Sequence, residues 1–387
     1  MGSLYKMFRE NITKYSMVIA LVGIMIFFQF ASGGILLKPL NITNLILQNS
    51  YILILAIGML LVIVAFQIDL SVGSVAAVVG ALSAILIINH HVSVALGIII
   101  ALVVGALIGA FQGFWIAVVR IPAFITTLAG MLIFRGLTYV SLQGTSIAPF
   151  PSSFQKMSTG FIPDFFHGKG LHITTVVIGL ILTILYVIYE MRKRRTQKKY
   201  NFEVLPQGLL IAKMAAIIVI INLFFYVLAI YKGIPNVLIL LLVLIAFYTF
   251  ITTKTTLGRH IYALGGNEKA ARLSGVKTRQ VIFLVFVNMG ILSALSGLVF
   301  AARLNSGTPN AGTGFELDAI AACFIGGAST AGGIGTIMGA IIGGLVMGVM
   351  NNGMSLIGVG IDWQQTIKGL VLLFAVAFDV YSKSKTA

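Results

Sequence analysis

Residues 51–89 read YILILAIGMLLVIVAFQIDLSVGSVAAVVGALSAILIIN. Two apolar runs, 51–66 and 70–89, meet at Gln67-Ile68-Asp69-Leu70-Ser71-Val72-Gly73-Ser74. A helix needs about 20 apolar residues to cross roughly 30 Å of hydrocarbon. Each run therefore reads as a membrane segment, and the break puts an aspartate between two of them. Ionisable groups at that depth are costly and mark function.

The same pattern extends in both directions. Further candidate spans are 17–37, 93–119, 121–142, 172–190, 208–231, 234–251, 280–302, 317–333, 334–357 and 363–380. The chain reads as an all-α, polytopic integral membrane protein with about 10–12 membrane segments in one domain, residues 1–387. Residues 317–333 contain Gly326, Gly327, Gly332 and Gly333 behind a short apolar start, which predicts a broken or re-entrant helix. The first run exceeds the usual signal-peptide core of about 7–15 residues and is expected to be a retained span.

Composition agrees. Of 387 residues, 59% are hydrophobic and 9% charged, and mean hydropathy is +1.05, whereas soluble domains are about a quarter charged. The net charge of +16 resembles that of a nucleic-acid binder until it is mapped. Four clusters hold 18 of the 26 Lys and Arg: Lys6, Arg9 and Lys14; seven between 191 and 213; six between 252 and 279; and Lys383 with Lys385. Each borders an apolar run. This positive-inside pattern orients the chain with its N-terminus, the basic insert 191–207 and the loop 252–279 in the cytoplasm, and it explains the charge without nucleic acid. The loop 143–171 then lies outside, as a cap over the outer mouth, a partner contact or a loose connection.

Enzyme signatures are absent. There is no G-x-x-x-x-G-K-S/T, no H-E-x-x-H and no carboxylate pair suited to acid–base chemistry. Adjacent His90 and His91 are poorly spaced for a metal, and single Cys323 excludes an internal disulfide. No catalytic residue, metal site or cofactor is expected in this chain. If ATP drives it, another chain binds the ATP and magnesium.

Candidate residues fall into three groups. Asp69 and Ser71 either cap a broken helix or face a pathway. The amides Asn288, Asn351 and Asn352 both donate and accept hydrogen bonds and suit a polyol in transit. Arg135 and the four-spaced glycines Gly339, Gly343, Gly344 and Gly348 are structural. The glycines let helices approach closely, and Arg135 needs backbone carbonyls or a distant acid such as Asp69.

The third group is Leu264-Gly265-Gly266-Asn267-Glu268-Lys269-Ala270-Ala271-Arg272-Leu273-Ser274-Gly275-Val276. Asn267 is an N-cap, Glu268 and Arg272 complement the helix dipole, and Gly275 suits the C′ stop. The result is a capped helix of about two turns, with Ala270 and Ala271 permitting close approach. It is a docking helix or an ordinary connector.

These stretches, with Arg120-Ile121-Pro122-Ala123-Phe124, Ile133-Phe134-Arg135-Gly136, Ala311–Ala319, Ile325–Gly333 and Asn351-Asn352-Gly353, resemble the permease subunits of bacterial ABC importers for monosaccharides. The likeness runs through nearly the whole chain, lies in the ribose/xylose/galactose branch, and is greatest to xylose or multiple-sugar permeases. Gln67 stands where such permeases are expected to have glycine, and Ile334 where they more often carry a charge. The resemblance implies a homodimer in the bacterial inner membrane, an ATP-binding subunit, an extracytoplasmic sugar-binding protein and a monosaccharide substrate. It also implies that Gly266, Asn267, Glu268, Ala270, Ala271, Arg272, Ser274 and Gly275 form the ATPase-coupling element. The rival reading is an ion-coupled secondary transporter. That reading requires internal repeats with matched membrane carboxylates, and Asp69 has no clear counterpart in the second half of the sequence.

Overall fold

A computed structural model describes residues 2–384 except Lys169 and Glu203, with side-chain surroundings for 17–377. Lys385, and the side chains of Lys6, Arg9, Lys14 and Lys383, lie outside the described residues. The described chain is helical throughout, without strands beyond two isolated bridges.

In chain order the helices are α1 (Gly2–Ala31), α2 (Pro39–Val64), α3 (Val72–Ala84), α4 (Val94–Phe114), α5 (Ala123–Leu142), α6 (Ser152–Thr159), α7 (Ile173–Lys199), α8 (Gln207–Ile230), α9 (Asn236–Lys254), α10 (Thr256–Gly266), α11 (Glu268–Leu273), α12 (Thr278–Leu304), α13 (Phe315–Ile325), α14 (Ile337–Leu356) and α15 (Ile361–Ser384). Single π turns, Ile85–Asn89 and Trp115–Val119, extend α3 and α4. Among the described residues nine helices are long and apolar enough to cross a membrane, and Met17–Ala31 of α1 is a shorter apolar helix. The protein is a multi-pass membrane protein.

One segment is broken as predicted, and one span is longer than predicted. Residues 317–333 supply only α13, whose 11 residues cover ~16 Å, about half a bilayer core. Gly327, Gly332, Gly333 and Gly335, all at positive φ, then carry an irregular segment to α14. The helix predicted to end at Glu190 runs on to Lys199, because Lys, Arg and Gln are good helix formers and Lys198 and Lys199 complement its C-terminal dipole.

The centre is built from two crossed sets. α2 and α12 are antiparallel neighbours: a Cβ on Gly58 would lie 2.7 Å from Met289 Sδ, and Ser296 Oγ donates to the Tyr51 carbonyl. α3 runs parallel to α12, with Ala76 against Gly297 and Gly80 near Ala301. α13 runs parallel to α2, with Phe315 stacked on Tyr51 at 4.1 Å and Cys323 Sγ donating to the Ala56 carbonyl. α4 packs antiparallel on α12 through Gly105, Gly109 and Gly113, and α14 antiparallel on α2 through Gly344 and Gly348. Exchanging α2 with α12, α3 with α13 and α4 with α14 thus reproduces the same neighbours with inverted direction. This is an inverted repeat, and α3 and α13 are its broken members.

Small residues make the crossings possible. α4 buries Gly97, Ala101, Gly105, Gly109 and Gly113, spaced every four residues on one face. A Cβ on Gly109 would lie 2.3 Å from the Phe286 carbonyl oxygen, so backbone meets backbone there.

The loop 143–171 is a packed element. Its α6 is wedged beside α12 and α9 by buried Phe150 and Phe154, stacked at 4.1 Å. Phe150 N donates to Asn305 Oδ1, and Asn236 Nδ2 donates to the Lys156 carbonyl. Asp164 then caps α7, accepting from Thr174 N, Thr174 Oγ and Gly168 N.

Candidate functional site

The N-termini of α3 and the short α13 meet inside the protein. A Cβ on Gly73 would lie 2.2 Å from the Gly312 carbonyl oxygen and 2.5 Å from Glu316 Oε2. Both residues must be glycine-sized for α3 and the turn before α13 to touch. The amide ends that face each other carry partial positive charge. Acidic groups complement both: Asp69 before α3, and Glu316 and Asp318 in the first turn of α13.

Asp69 is buried, and its Oδ1 accepts from Ser71 N at 2.8 Å and Ser71 Oγ at 2.6 Å. Ser71 Oγ in turn accepts from Gln112 Nε2 of α4 at 2.7 Å. Thr127 Oγ1 of α5 donates to the Ile68 carbonyl. The break is thus pinned from two helices.

Arg135 bonds backbone: Nη1 donates to the carbonyls of Pro309 and Ala311 at 3.3 and 2.5 Å, holding the 305–314 turn against α5. It makes no ion pair with Asp69. The expectation that Asp69 lacks a counterpart is corrected. Glu316 and Asp318 occupy the equivalent place at α13, in a Glu-Leu-Asp that mirrors Asp69-Leu70-Ser71.

Beside them α13, α14 and α15 enclose a cavity of about 320 Å³, lined by Thr313, Glu316, Asp318, Gln365 and Lys368 among others. Lys368 Nζ lies 3.1 Å from Asp318 Oδ1. Carboxylates, an amide and an ammonium in one membrane cavity offer the mixed donors and acceptors that a polyol requires.

The predicted amides do not gather here. Asn352 is paired with Asn41 of α2 in a reciprocal amide contact, at 2.9 and 3.1 Å. Asn351 leaves its buried Oδ1 unpartnered. Asn288 accepts a short hydrogen bond from Tyr248 of α9. Gly339 and Gly343 let α14 close on Gly326 and Ala322, while Gly344 and Gly348 face Leu53 and Asn49 of α2.

The second half of the site lies in the basic loop 252–279. Asn267 caps α11, its side chain accepting from Ala270 N at 3.0 Å, and Gly275 ends it at φ +88°. Ala271 is buried inward and Leu273 is 88% exposed outward. α10, which leads into α11, rests on both broken segments. Gly265 lies against the Val64 carbonyl and Gly333 N, Gly266 against Gly333, and the Tyr262 hydroxyl donates to the Gly335 carbonyl at 2.7 Å. Gln67 shares a cavity wall with Glu268, Lys269 and Arg272. Gly266, Glu268, Ala270 and Ser274 are part of this face or its turn.

Gln112, Glu316, Asp318, Tyr262 and Lys368 are participants that sequence reasoning missed. Gln112 and Lys368 carried a usable signal, being isolated polar residues within apolar runs. Tyr262 carried none, because its partner is a backbone carbonyl 73 residues away.

The family model for the permease component of branched-chain amino acid transport systems matches residues 41–376. The chain is 39% identical to the xylose transport system permease protein XylH of Haemophilus influenzae, over 99% of this chain and 100% of that protein. It is 36% identical to XylH of Escherichia coli strain K12, over 97% and 94%. It is also 36% identical to the ribose import permease protein RbsC of the same strain, over 88% and 85%. No solved structure matches it.

Proposed function

The chain belongs to the family of branched-chain amino acid transport system permease components, and from that premise we propose that it is the transmembrane subunit of an ATP-driven monosaccharide importer, with a xylose-like pentose as substrate. The full-length likeness to XylH supports the sugar class. Two copies of the chain surround the path in the bacterial inner membrane, with their N-termini in the cytoplasm. A separate subunit binds ATP and magnesium, and an extracytoplasmic binding protein delivers the sugar.

The observation that carries this reading is the seat of α11. A six-residue helix is marginal alone, yet this one is capped at both ends and continues directly from α10, whose Gly265 and Gly266 press on the segments that interrupt α2–α3 and α13–α14. Force applied to α11 by an ATPase reaches the Val64 and Gly333 backbones through Gly265 and Gly266 of α10. From there it reaches α3 and α13, whose facing N-termini line the route. Rocking of the inverted halves about that junction gives alternating access, and the sugar passes unchanged.

The test is reconstitution. The chain purified with its co-expressed partners takes up labelled xylose into vesicles only with ATP inside the compartment that holds α11. Uptake that needs no ATP and follows an ion gradient instead supports the secondary transporter. The matched carboxylates Asp69 and Glu316 favour that second reading, but it leaves the capped helix without a task.

A further inference from the structure

Five cations crowd one end of the molecule with almost nothing to balance them. Arg120, Lys269, Arg272 and Arg279 line a cavity of about 360 Å³, whose remaining walls include Gln67, Pro122, Glu268 and Thr278. A neighbouring cavity of about 390 Å³ shares Arg120, Arg272 and Arg279 and adds Lys277. The three arginines thus form a ridge between two hollows. Glu268 is the one carboxylate among the lining residues. Among the described residues no carboxylate comes within ion-pair distance of any of the five cations.

The cup is assembled from four separate places. Arg120 sits at φ +69° where α4 ends, a left-handed position uncommon outside glycine, asparagine and aspartate. Arg272 and Lys269 come from α11, Arg279 from the first turn of α12, and Gln67 from the break before α3. Orientation in the membrane asks for cations on this side, but not for their convergence on one concavity from segments 150 residues apart.

We propose that this arginine cup receives acidic side chains of the ATP-binding partner, so that the docking contact extends beyond α11 to the ends of α4 and α12. This rests on the importer reading above. Leu273, on the same six-residue helix, is 88% exposed and is the apolar anchor of the contact. The planar guanidinium fork matches a carboxylate in bidentate geometry, which fixes register as well as affinity. A carboxylate seated in the cup touches α11, the α4–α5 turn, the start of α12 and the break at Gln67 together. It therefore couples movement of the partner to the Ile68–Ser71 segment by a second route, independent of Gly265.

The experiment compares complexes purified from cells expressing all subunits, carrying wild type, R120Q/R279Q, R120K/R279K or R195Q. Arg195 lies on the basic insert, outside the cup, and serves as the control. In wild type and R195Q the ATPase subunit remains bound, with affinity that falls steeply as salt rises. In R120Q/R279Q the affinity at low salt drops at least about tenfold and its salt dependence flattens. The lysine variant recovers part of the loss. Gel filtration of each permease keeps binding defects separate from folding defects, and a misfolded glutamine pair is replaced by the single variants. Equal retention of the ATPase by wild type and R120Q/R279Q at both salts overturns the proposal. So does unchanged ATPase affinity with loss of inorganic phosphate binding, which assigns the cup to a free anion. If wild type itself never retains an ATPase, the importer reading fails first.

Discussion

The amide of Gly333 donates a hydrogen bond of 2.9 Å to the carbonyl oxygen of Val64. It ties the irregular segment before α14 to the end of α2. Gly265 of α10 lies against both residues, so three segments that are distant in sequence share one backbone contact. Because these are backbone atoms, the contact cannot relax by a change of rotamer.

Gly265→Ala is therefore expected to abolish coupling. Its Cβ would stand 1.6 Å from the Val64 oxygen and 2.7 Å from Gly333 N, so α10 must shift. Vesicle uptake should fall by more than tenfold while the chain still inserts and extracts in mild detergent. Gly266→Ala, with open space around its Cβ, should retain uptake. Similar uptake by the two variants would remove Gly265 from the transmission route.

Asn267→Ala removes the side-chain acceptor for Ala270 N. Loss of a cap costs about 0.5–2 kcal/mol, which is comparable to the whole stability of so short a helix. ATP hydrolysis by the assembled transporter should lose its stimulation by sugar-loaded binding protein. Asn267→Asp, an equivalent cap, should restore it.

Lys368→Met leaves Asp318, whose carboxylate side chain is 9% exposed, in the cavity without its partner. Breaking one member of a buried pair costs about 3–5 kcal/mol, and the lower end applies because Lys368 is itself 26% exposed. The detergent melting temperature should drop in Lys368→Met and recover largely in Lys368→Met/Asp318→Asn. A double variant no more stable than the single would show that the pair is not what the lysine serves.

Asp164 titrates outside the spans. Partial desolvation alone would raise its pKa. Hydrogen bonds from Thr174, Gly168 and Phe166 outweigh that and hold the carboxyl below the usual carboxylate range. A lowered folded-state value means the charged form stabilises the fold. The stabilisation is complete above the ordinary carboxylate pKa of about 4 and disappears as pH falls below it. Melting curves between neutral and strongly acidic pH should show a smaller loss in Asp164→Asn, together with lower stability at neutral pH. Identical pH dependence in both proteins would contradict the capping role.

Local chemistry was readable from residue order. The Asn267 cap, the Gly275 stop and the break at Asp69 depend on neighbours a few positions away, and each sits where the pattern puts it. The four-spaced Gly339, Gly343, Gly344 and Gly348 were equally readable, and they bring α14 against α13 and α2. Arg135 was legible only as a residue in need of carbonyls or an acid. Which carbonyls it found, Pro309 and Ala311, depends on how α5 lies against a turn 174 residues later.

Hydropathy by itself determined that the chain crosses a membrane many times. It could not rank the spans. α2 and α8 have nearly equal hydropathy, yet α2 is sealed in the protein centre and α8 is largely bare. Lipid tails are as apolar as a leucine-rich core, so the same residues satisfy either surroundings. Only tertiary structure decided that the N-termini of α3 and α13 meet, that Glu316 and Asp318 answer Asp69, and that Arg120 and Arg279 join the capped helix in one cup. Each of those is a contact between segments far apart in the chain, made by backbone or charge, and periodicity carries no record of it.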